Sequence, residues 1–273
     1  MRLPIGAGTF YPADHGELIS GLEMFFGAET THFPEARGLI VPHAGYLFSG
    51  PVAAKTYKAV SRSDKKNFVI LGTDHYGKGI IATSTEDWST PLGNAKVNLE
   101  MIKRITKEQA IMEAPGEMKS EHSIEVQIPF LQYLFSDFTF VPLQVPRLPL
   151  DEIKDLAKII ADKNTIYIAS SDFTHFGSNY GFVPKESIYG PDEYVKTLDS
   201  KIIDLIVQGD TKKFVDFIED NDMTVCGYVP IALLMEVMKI LGAKTVEKIA
   251  YDTSFSVSHD VSAIVGYGGL LFR

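Results

Sequence analysis

The amino-acid sequence predicts an α/β fold: a single domain, residues 1–273, with a central, mostly parallel or mixed sheet covered by helices on both faces. Short runs of continuous apolar and β-branched residues, rather than alternating ones, mark strands buried on both sides. These runs alternate with longer stretches of helical periodicity, the pattern of crossover connections. No internal repeat, low-complexity tract or Pro/Gly/Ser-rich linker divides the chain.

Taken in order, Gly38 to Pro42 reads as the first buried strand and is followed by a helix from Pro51 to Ala59. Asn67 to Gly72 is a second such strand. A helix is expected over Ser123 to Leu134, then a strand over Phe138 to Val145 and a helix over Asp151 to Ala161. Thr165 to Ala169 is the next strand. Three helices follow, over Asp192 to Val207, Thr211 to Glu219 and Val229 to Leu241. Thr245 to Tyr251 and Val261 to Tyr267 close the chain as strands.

Composition narrows the function. Twenty-six Lys+Arg against 35 Asp+Glu give a net charge of −9, which argues against non-specific nucleic-acid binding and against docking on an anionic membrane. Hydrophobic residues at 45% and charged residues at 22% fit an ordinary globular core rather than disorder. Tyr11, Pro12 and Asp14 interrupt the opening segment before a secretory h-region develops. The most apolar helical stretch, Val229 to Leu241, is too short and carries Glu236 and Lys239, so no membrane span is expected. The single cysteine, Cys226, cannot form an internal disulfide, which favours a reducing cytoplasmic setting.

Chemically able residues gather at strand ends. His43 directly follows the first strand, His75 lies three residues past the second, and His175 follows the Ile166 to Ala169 run. Ligands of open α/β sheets bind beyond the carboxyl ends of the strands, so three strands deliver a histidine to that crevice. His122, with Glu121 and Glu125 nearby, opens the Ser123 to Leu134 helix; the three form either an ordinary solvated first turn or a site in which Glu125, one turn on, orients the imidazole. Cys226 stands before the long apolar helix, where Gly227 and Pro230 mark a helix entry and backbone amides favour a thiolate. His43, His75 and Cys226 would then form a His₂Cys metal set suited to iron, copper or zinc. Asp172 and His175 would be free for proton transfer. A nucleophilic pair of Cys226 with His175 is the competing chemistry. No phosphate loop, dinucleotide fingerprint or Gly-x-Ser-x-Gly elbow is present.

Five segments in this order, Val41-Pro-His-Ala-Gly-Tyr46, Gly72-Thr-Asp-His75, Glu121-His-Ser-Ile-Glu125, Ser170-Ser-Asp-Phe-Thr-His175 and Cys226-Gly-Tyr-Val-Pro230, resemble the Memo family. That family includes the proteins called AmmeMemoRadiSam system protein B, and the resemblance runs from Gly8 to the end of the Ser256 to Gly269 region. Memo proteins in turn resemble the class III extradiol dioxygenases, non-haem iron(II) enzymes. The resemblance implies a dioxygenase-like fold, His43 and His75 as metal ligands, and Cys226 where the dioxygenases carry a glutamate. It implies His175 as the acid-base residue, with His122 lining the same pocket. Thiolate in place of carboxylate changes the redox character of the site. Asp74, where other members often carry Ser followed by a further His, is either an acceptor for an imidazole N–H or a turn former.

The expected activity is metal-dependent oxidase or dioxygenase chemistry on a small aromatic or other oxidisable molecule, with iron(II) first, copper second and zinc last. A radical S-adenosylmethionine protein is the functional neighbour implied by the family name. The competing functions are a non-catalytic adaptor for a peptide or phosphopeptide, and a Cys-His hydrolase.

Overall fold

The computed structural model describes residues 1–273 and contains 11 strands and nine α-helices. In chain order these are α1 (His15–Phe26), β1 (Gly38–Val41), α2 (Tyr46–Val60), β2 (Asn67–Thr73), β3 (Ala82–Thr83), β4 (Trp88–Thr90) and β5 (Gly93–Val97). Next come α3 (Leu99–Ile105), β6 (Met112–Glu113), α4 (Ile128–Leu134), β7 (Thr139–Val145), α5 (Leu150–Ile160), β8 (Thr165–Ser170) and β9 (His175–Gly177). The chain ends with α6 (Pro191–Val207), α7 (Thr211–Asp220), α8 (Tyr228–Leu241), β10 (Val246–Thr253), α9 (Phe255–Ser258) and β11 (Ala263–Phe272).

The strands form one mixed sheet in the order β10-β11-β1-β8-β2-β7-β3-β6. Its centre, β1, β8, β2 and β7, is parallel, while β11 runs antiparallel to both β1 and β10. Val41 pairs with Ser170 and Leu71 with Ala169, so the chain leaves β1, β8 and β2 at one edge of the sheet. The apolar runs read as doubly covered strands behave as such, with every residue of β1 and β8 buried. Helix α2 packs on β1, β10 and β11, with α1 and α4 against it; α8 packs on β1, β8 and β2, beside α5 and α7. Because β1 meets both α2 and α8 and is wholly buried, the two helix groups cover opposite faces. A cluster of 67 buried residues, with Trp88, Tyr57, Tyr167 and Phe68 among its largest, forms the main core.

Three boundaries differ from those expected. Helix α2 begins at Tyr46, before Pro51, which therefore lies inside it rather than at its start. The bond Pro51 cannot donate would have gone to Leu47, a first-turn residue whose side chain is exposed, so the interruption is tolerated. The expected Ser123 to Leu134 helix is split: a 3₁₀ turn, in which the Ile128 amide bonds the Glu125 carbonyl, leads into α4 at Ile128. Pro129 has no N–H to continue α-type bonding there. His122 consequently sits in the turn before the helix and does not open it. The last strand extends to Phe272, past the glycines that look like its end. Gly268 and Gly269 are there because the Phe173 ring and the Thr56 side chain occupy the space where a Cβ would be.

Candidate metal centre

At the carboxyl edge of β1, β8 and β2, His43, His75, His122, Asp172 and Cys226 come together. His43 Nε2 lies 3.2 Å from Cys226 Sγ. The tautomer of His43 follows from its other nitrogen. Ser170 Oγ donates to the Ser123 carbonyl at 2.6 Å and accepts from Gln127 Nε2 at 2.8 Å. Toward His43 Nδ1, 3.1 Å away, that oxygen can therefore only accept again, which places the proton on Nδ1 and the lone pair on Nε2, facing the sulfur. Gln127 is itself held by Tyr57, whose hydroxyl donates to Oε1, and by the Pro42 carbonyl.

His75 is fixed in the same way by a carboxylate. Its Nδ1 lies 3.0 and 3.1 Å from the two oxygens of Glu121, which also accepts the His75 and Ser123 backbone amides. Glu121 is fully buried. Burial works against charge on the His75 ring, but its contacts with Cys226 and Glu121 prevail and hold it well above the ordinary histidine value. Burial would likewise raise Glu121, and His75 overcomes this and holds it low. His122 stacks between two rings, 4.9 Å from His75 and 4.3 Å from Phe10. Burial, then the neighbouring His43, push its imidazole down to about 3, so it stays neutral.

Cys226 precedes Gly227, the cap residue of α8. Burial would raise its thiol, but His43 in its protonated form, through charge and hydrogen bond, with a further contribution from His75, brings it down to about 6. Gly227 is required at this point: a Cβ would lie 2.6 Å from Ser171 Cβ, and the Gly227 amide donates to Ser171 Oγ at 3.0 Å. The close approach of these two segments presents the sulfur to His43.

Asp172 points back at the β1–α2 loop, accepting the His43 and Ala44 amides at 2.8 and 3.3 Å. It holds that loop and does not set the tautomer of His175. The Phe173 and Thr224 carbonyls do so, each accepting from His175 Nδ1 at 3.0 Å and leaving Nε2 free. The imidazole hydrogen-bonded to Cys226 is thus that of His43, not His175. Asp74 is a turn former: its carboxylate accepts the Gly79 amide and the Gln144 side chain. Glu125, expected to orient His122, instead binds the start of the chain, where it meets Arg2, the Ile5 and Gly6 amides and the Tyr11 hydroxyl.

Two overlapping donor triads result. The ligand atoms of His43, His75 and His122 lie within 4.8 Å of one another, as do those of His43, Asp172 and Cys226, so the expected set of His43, His75 and Cys226 is divided between the two triads, with His43 common to both. A cavity of about 900 Å³ reaches this cluster past His75, His175 and Cys226, and a second of about 430 Å³ reaches it past His43, His122 and Asp172. His75, His175 and Tyr180 border both.

The family model described as "Memo-like protein" matches residues 2–271. The chain belongs to the Memo family. It is 38% identical over 293 residues to a MEMO1 family protein of Methanopyrus kandleri, covering all of this chain and 99% of that one. It is 38% identical over 285 residues to one of Archaeoglobus fulgidus, covering both chains fully. A relative from Thermococcus onnurineus is 38% identical over 292 residues, covering all of this chain and 99% of that one.

Around the histidines and cysteine expected from the sequence, this Memo-family site carries supporting residues that were not: Glu121, Gln127, Ser170, Ser171 and Tyr180. Glu121 shares a motif with His122, so a carboxylate near the cluster was within reach of sequence reasoning. Its partner His75 lies 46 positions away, and only the fold reveals that pairing.

Proposed function

We propose that this Memo-family protein is a metal-dependent oxidase or dioxygenase-type enzyme acting on a small aromatic or other oxidisable molecule. Iron(II) is the proposed metal, copper the second choice and zinc the last, held by His43, His75 and Cys226. The observation that carries the reading is the lone pair of His43 Nε2 aimed at Cys226 Sγ, 3.2 Å away, with the opposite nitrogen tied to Ser170. Imidazoles oriented through their far nitrogens by a hydroxyl and a carboxylate are the usual dress of metal-binding histidines. A thiolate beside two imidazoles suits a redox-active cation better than magnesium or calcium. When bound, iron(II) would supply the one-electron chemistry that makes dioxygen reactive toward an organic molecule.

The protein's own residues have distinct tasks in this reading. Ser170 and Gln127 hold His43, Glu121 holds His75, and Asp172 pins the loop that carries His43. His175, with Nε2 free at the boundary of both cavities, takes or gives the substrate proton. His122, neutral and stacked, closes the apolar side of the cluster. The lone Cys226 suits a reducing compartment, and we place the protein in the cytoplasm. No helix is long and apolar enough to cross a membrane. A radical S-adenosylmethionine protein is the proposed functional neighbour.

The test is anaerobic loading with iron(II), followed by elemental analysis and oxygen uptake on a panel of catechols. Stoichiometric iron that is lost in His43→Ala and Cys226→Ala, with oxygen consumption by the native protein, supports the reading. Full iron occupancy with no catechol consumed would return the site to the peptide-binding alternative. The lowered thiol beside His43 favours one second reading, a Cys-His hydrolase in which Cys226 attacks and His43 carries the proton. Hydrolysis that persists in chelator and is abolished by Cys226→Ser would select it.

A further inference from the structure

The larger cavity has an unused electrostatic pattern on its wall. Of the four central parallel strands, β7 alone sends no residue to the metal cluster. Its carboxyl end runs into Pro146-Arg147-Leu148-Pro149, which forms part of the cavity lining. Of the six arginines, Arg2, Arg37, Arg104 and Arg273 donate to protein acceptors, while Arg62 and Arg147 do not. Arg147 makes no hydrogen bond or ion pair, and it is the only Lys or Arg lining either cavity. The two prolines restrict the backbone on either side of it.

The same cavity carries two carboxylates from the end of α7 and the turn after it, Glu219 and Asp222. Neither lies within ion-pair distance of Arg147. Glu219 accepts a single side-chain hydrogen bond, from the Tyr228 hydroxyl at 3.0 Å. Asp74, the remaining carboxylate of the lining, is already used by Gly79 and Gln144. A simple anion would meet Arg147 but be repelled by Glu219 and Asp222, in a protein whose net charge is −9. A simple cation would meet the reverse. A molecule carrying both charges satisfies the whole wall.

We infer that the larger cavity binds a small zwitterion of the amino-acid type, its carboxylate on Arg147 and its ammonium group on the Glu219 and Asp222 side. Guanidinium pairs bidentately with carboxylate, and the free side chain of Arg147 is available for such a pair. The remaining part of the molecule then extends toward Cys226, His75 and His175, which border the same space. That orientation of the oxidisable end rests on the function proposed above; the zwitterion pocket itself does not. At about 900 Å³ the cavity is large enough for an aromatic amino acid.

Calorimetry on the metal-free, full-length protein tests this with three probes: L-tyrosine, tyramine, which lacks the carboxylate, and 3-(4-hydroxyphenyl)propanoate, which lacks the ammonium group. L-tyrosine should bind about ten- to hundredfold more tightly than either analogue, the usual worth of one charged hydrogen bond. Arg147→Gln should bring L-tyrosine down to the affinity of tyramine while leaving tyramine unchanged. Glu219→Gln, which keeps an acceptor for Tyr228, should weaken L-tyrosine and tyramine but not the propanoate. Both side chains are exposed, so the variants are expected to fold. Equal affinities for the three probes, insensitivity to Arg147→Gln, or no binding of any probe at millimolar concentration would overturn the inference. Because no metal is used, the outcomes separate. Protein that selects the zwitterion but takes up no iron loses the enzyme reading alone, and iron-binding protein blind to the probes loses this one.

Discussion

Ser170, the last residue of β8, receives the Nδ1 proton of His43, which stands two residues beyond the end of the neighbouring strand β1. The parallel register that pairs Val41 with Ser170 brings them together, so the orientation of His43 is written into the strand pairing itself.

Ser170→Ala therefore removes the acceptor and frees His43 to rotate or change tautomer. Metal affinity should fall about 10- to 100-fold, the usual cost of losing a partner behind a ligand. Glu121→Gln should act similarly through His75. Titration against a metal-competing chelator measures both. Native affinity in Ser170→Ala would show that the hydrogen bond does not orient the ligand.

Metal binding should also depend on pH in a defined direction. His75 is held above the ordinary histidine value, so it must give up a proton to act as a ligand. Affinity should rise with pH, by about tenfold per unit for each proton released, from pH 6 to pH 8. A flat profile over that range would exclude His75 as a ligand.

Binding and turnover should separate at His175. Its Nδ1 is committed to two carbonyls and it belongs to neither donor triad, so His175→Ala should keep its metal. Any turnover should fall about 10²- to 10⁴-fold. His43→Ala should lose metal and activity together. Loss of metal from His175→Ala would merge the two roles.

The buried Asp199 of α6 offers a stability test remote from the ligands. It accepts the Thr174 amide and the Tyr251 hydroxyl, and burial raises its carboxyl to about 6 despite these bonds. The folded state thus favours the protonated form, and stability declines as pH rises from about 4 to about 6. Asn keeps an acceptor for Thr174 without the charge. Relative to the native chain, Asp199→Asn should gain about 2 kcal/mol between pH 4.5 and pH 8 in denaturant unfolding. A pH-independent difference would mean that Asp199 is not held protonated by burial.

Arg2 and Glu125 form a buried ion pair across 123 positions, and Arg2 also lies 3.9 Å over the Trp88 ring. Arg2→Ala leaves the Glu125 carboxylate buried without its counter-charge and should cost about 3–5 kcal/mol. Thermal or denaturant unfolding measures it, and a loss within about 0.5 kcal/mol would show that the pair is solvated in practice.

The parallel core was legible because each of its strands is continuously apolar, and the histidines were legible because they stand just past those strands. Strands β3, β4 and β6 were not, for a strand of two or three residues has no room to show a period. The helix α1 was missed although Asp14 caps it by accepting the Glu17 amide, because its apolar stripe is only three residues, Leu18, Leu22 and Phe26. In the cluster, the convergence of His43, His75 and Cys226 could be read from residue type and position. What orients them could not, since Ser170, Gln127 and Glu121 act on histidines far away in the chain. Glu125 shows the opposite error: proximity to His122 suggested a partnership, and the carboxylate turned to Arg2, the stronger donor.

The wall shared by His75, His175 and Tyr180 gives the cluster two entrances rather than one. A molecule seated in the larger chamber leaves the smaller open, so a second reactant need not queue behind the first. For the oxidase chemistry proposed above, steady-state kinetics should then show random order of addition. A blocker confined to one chamber should compete with the reactant that uses it and act noncompetitively toward the other.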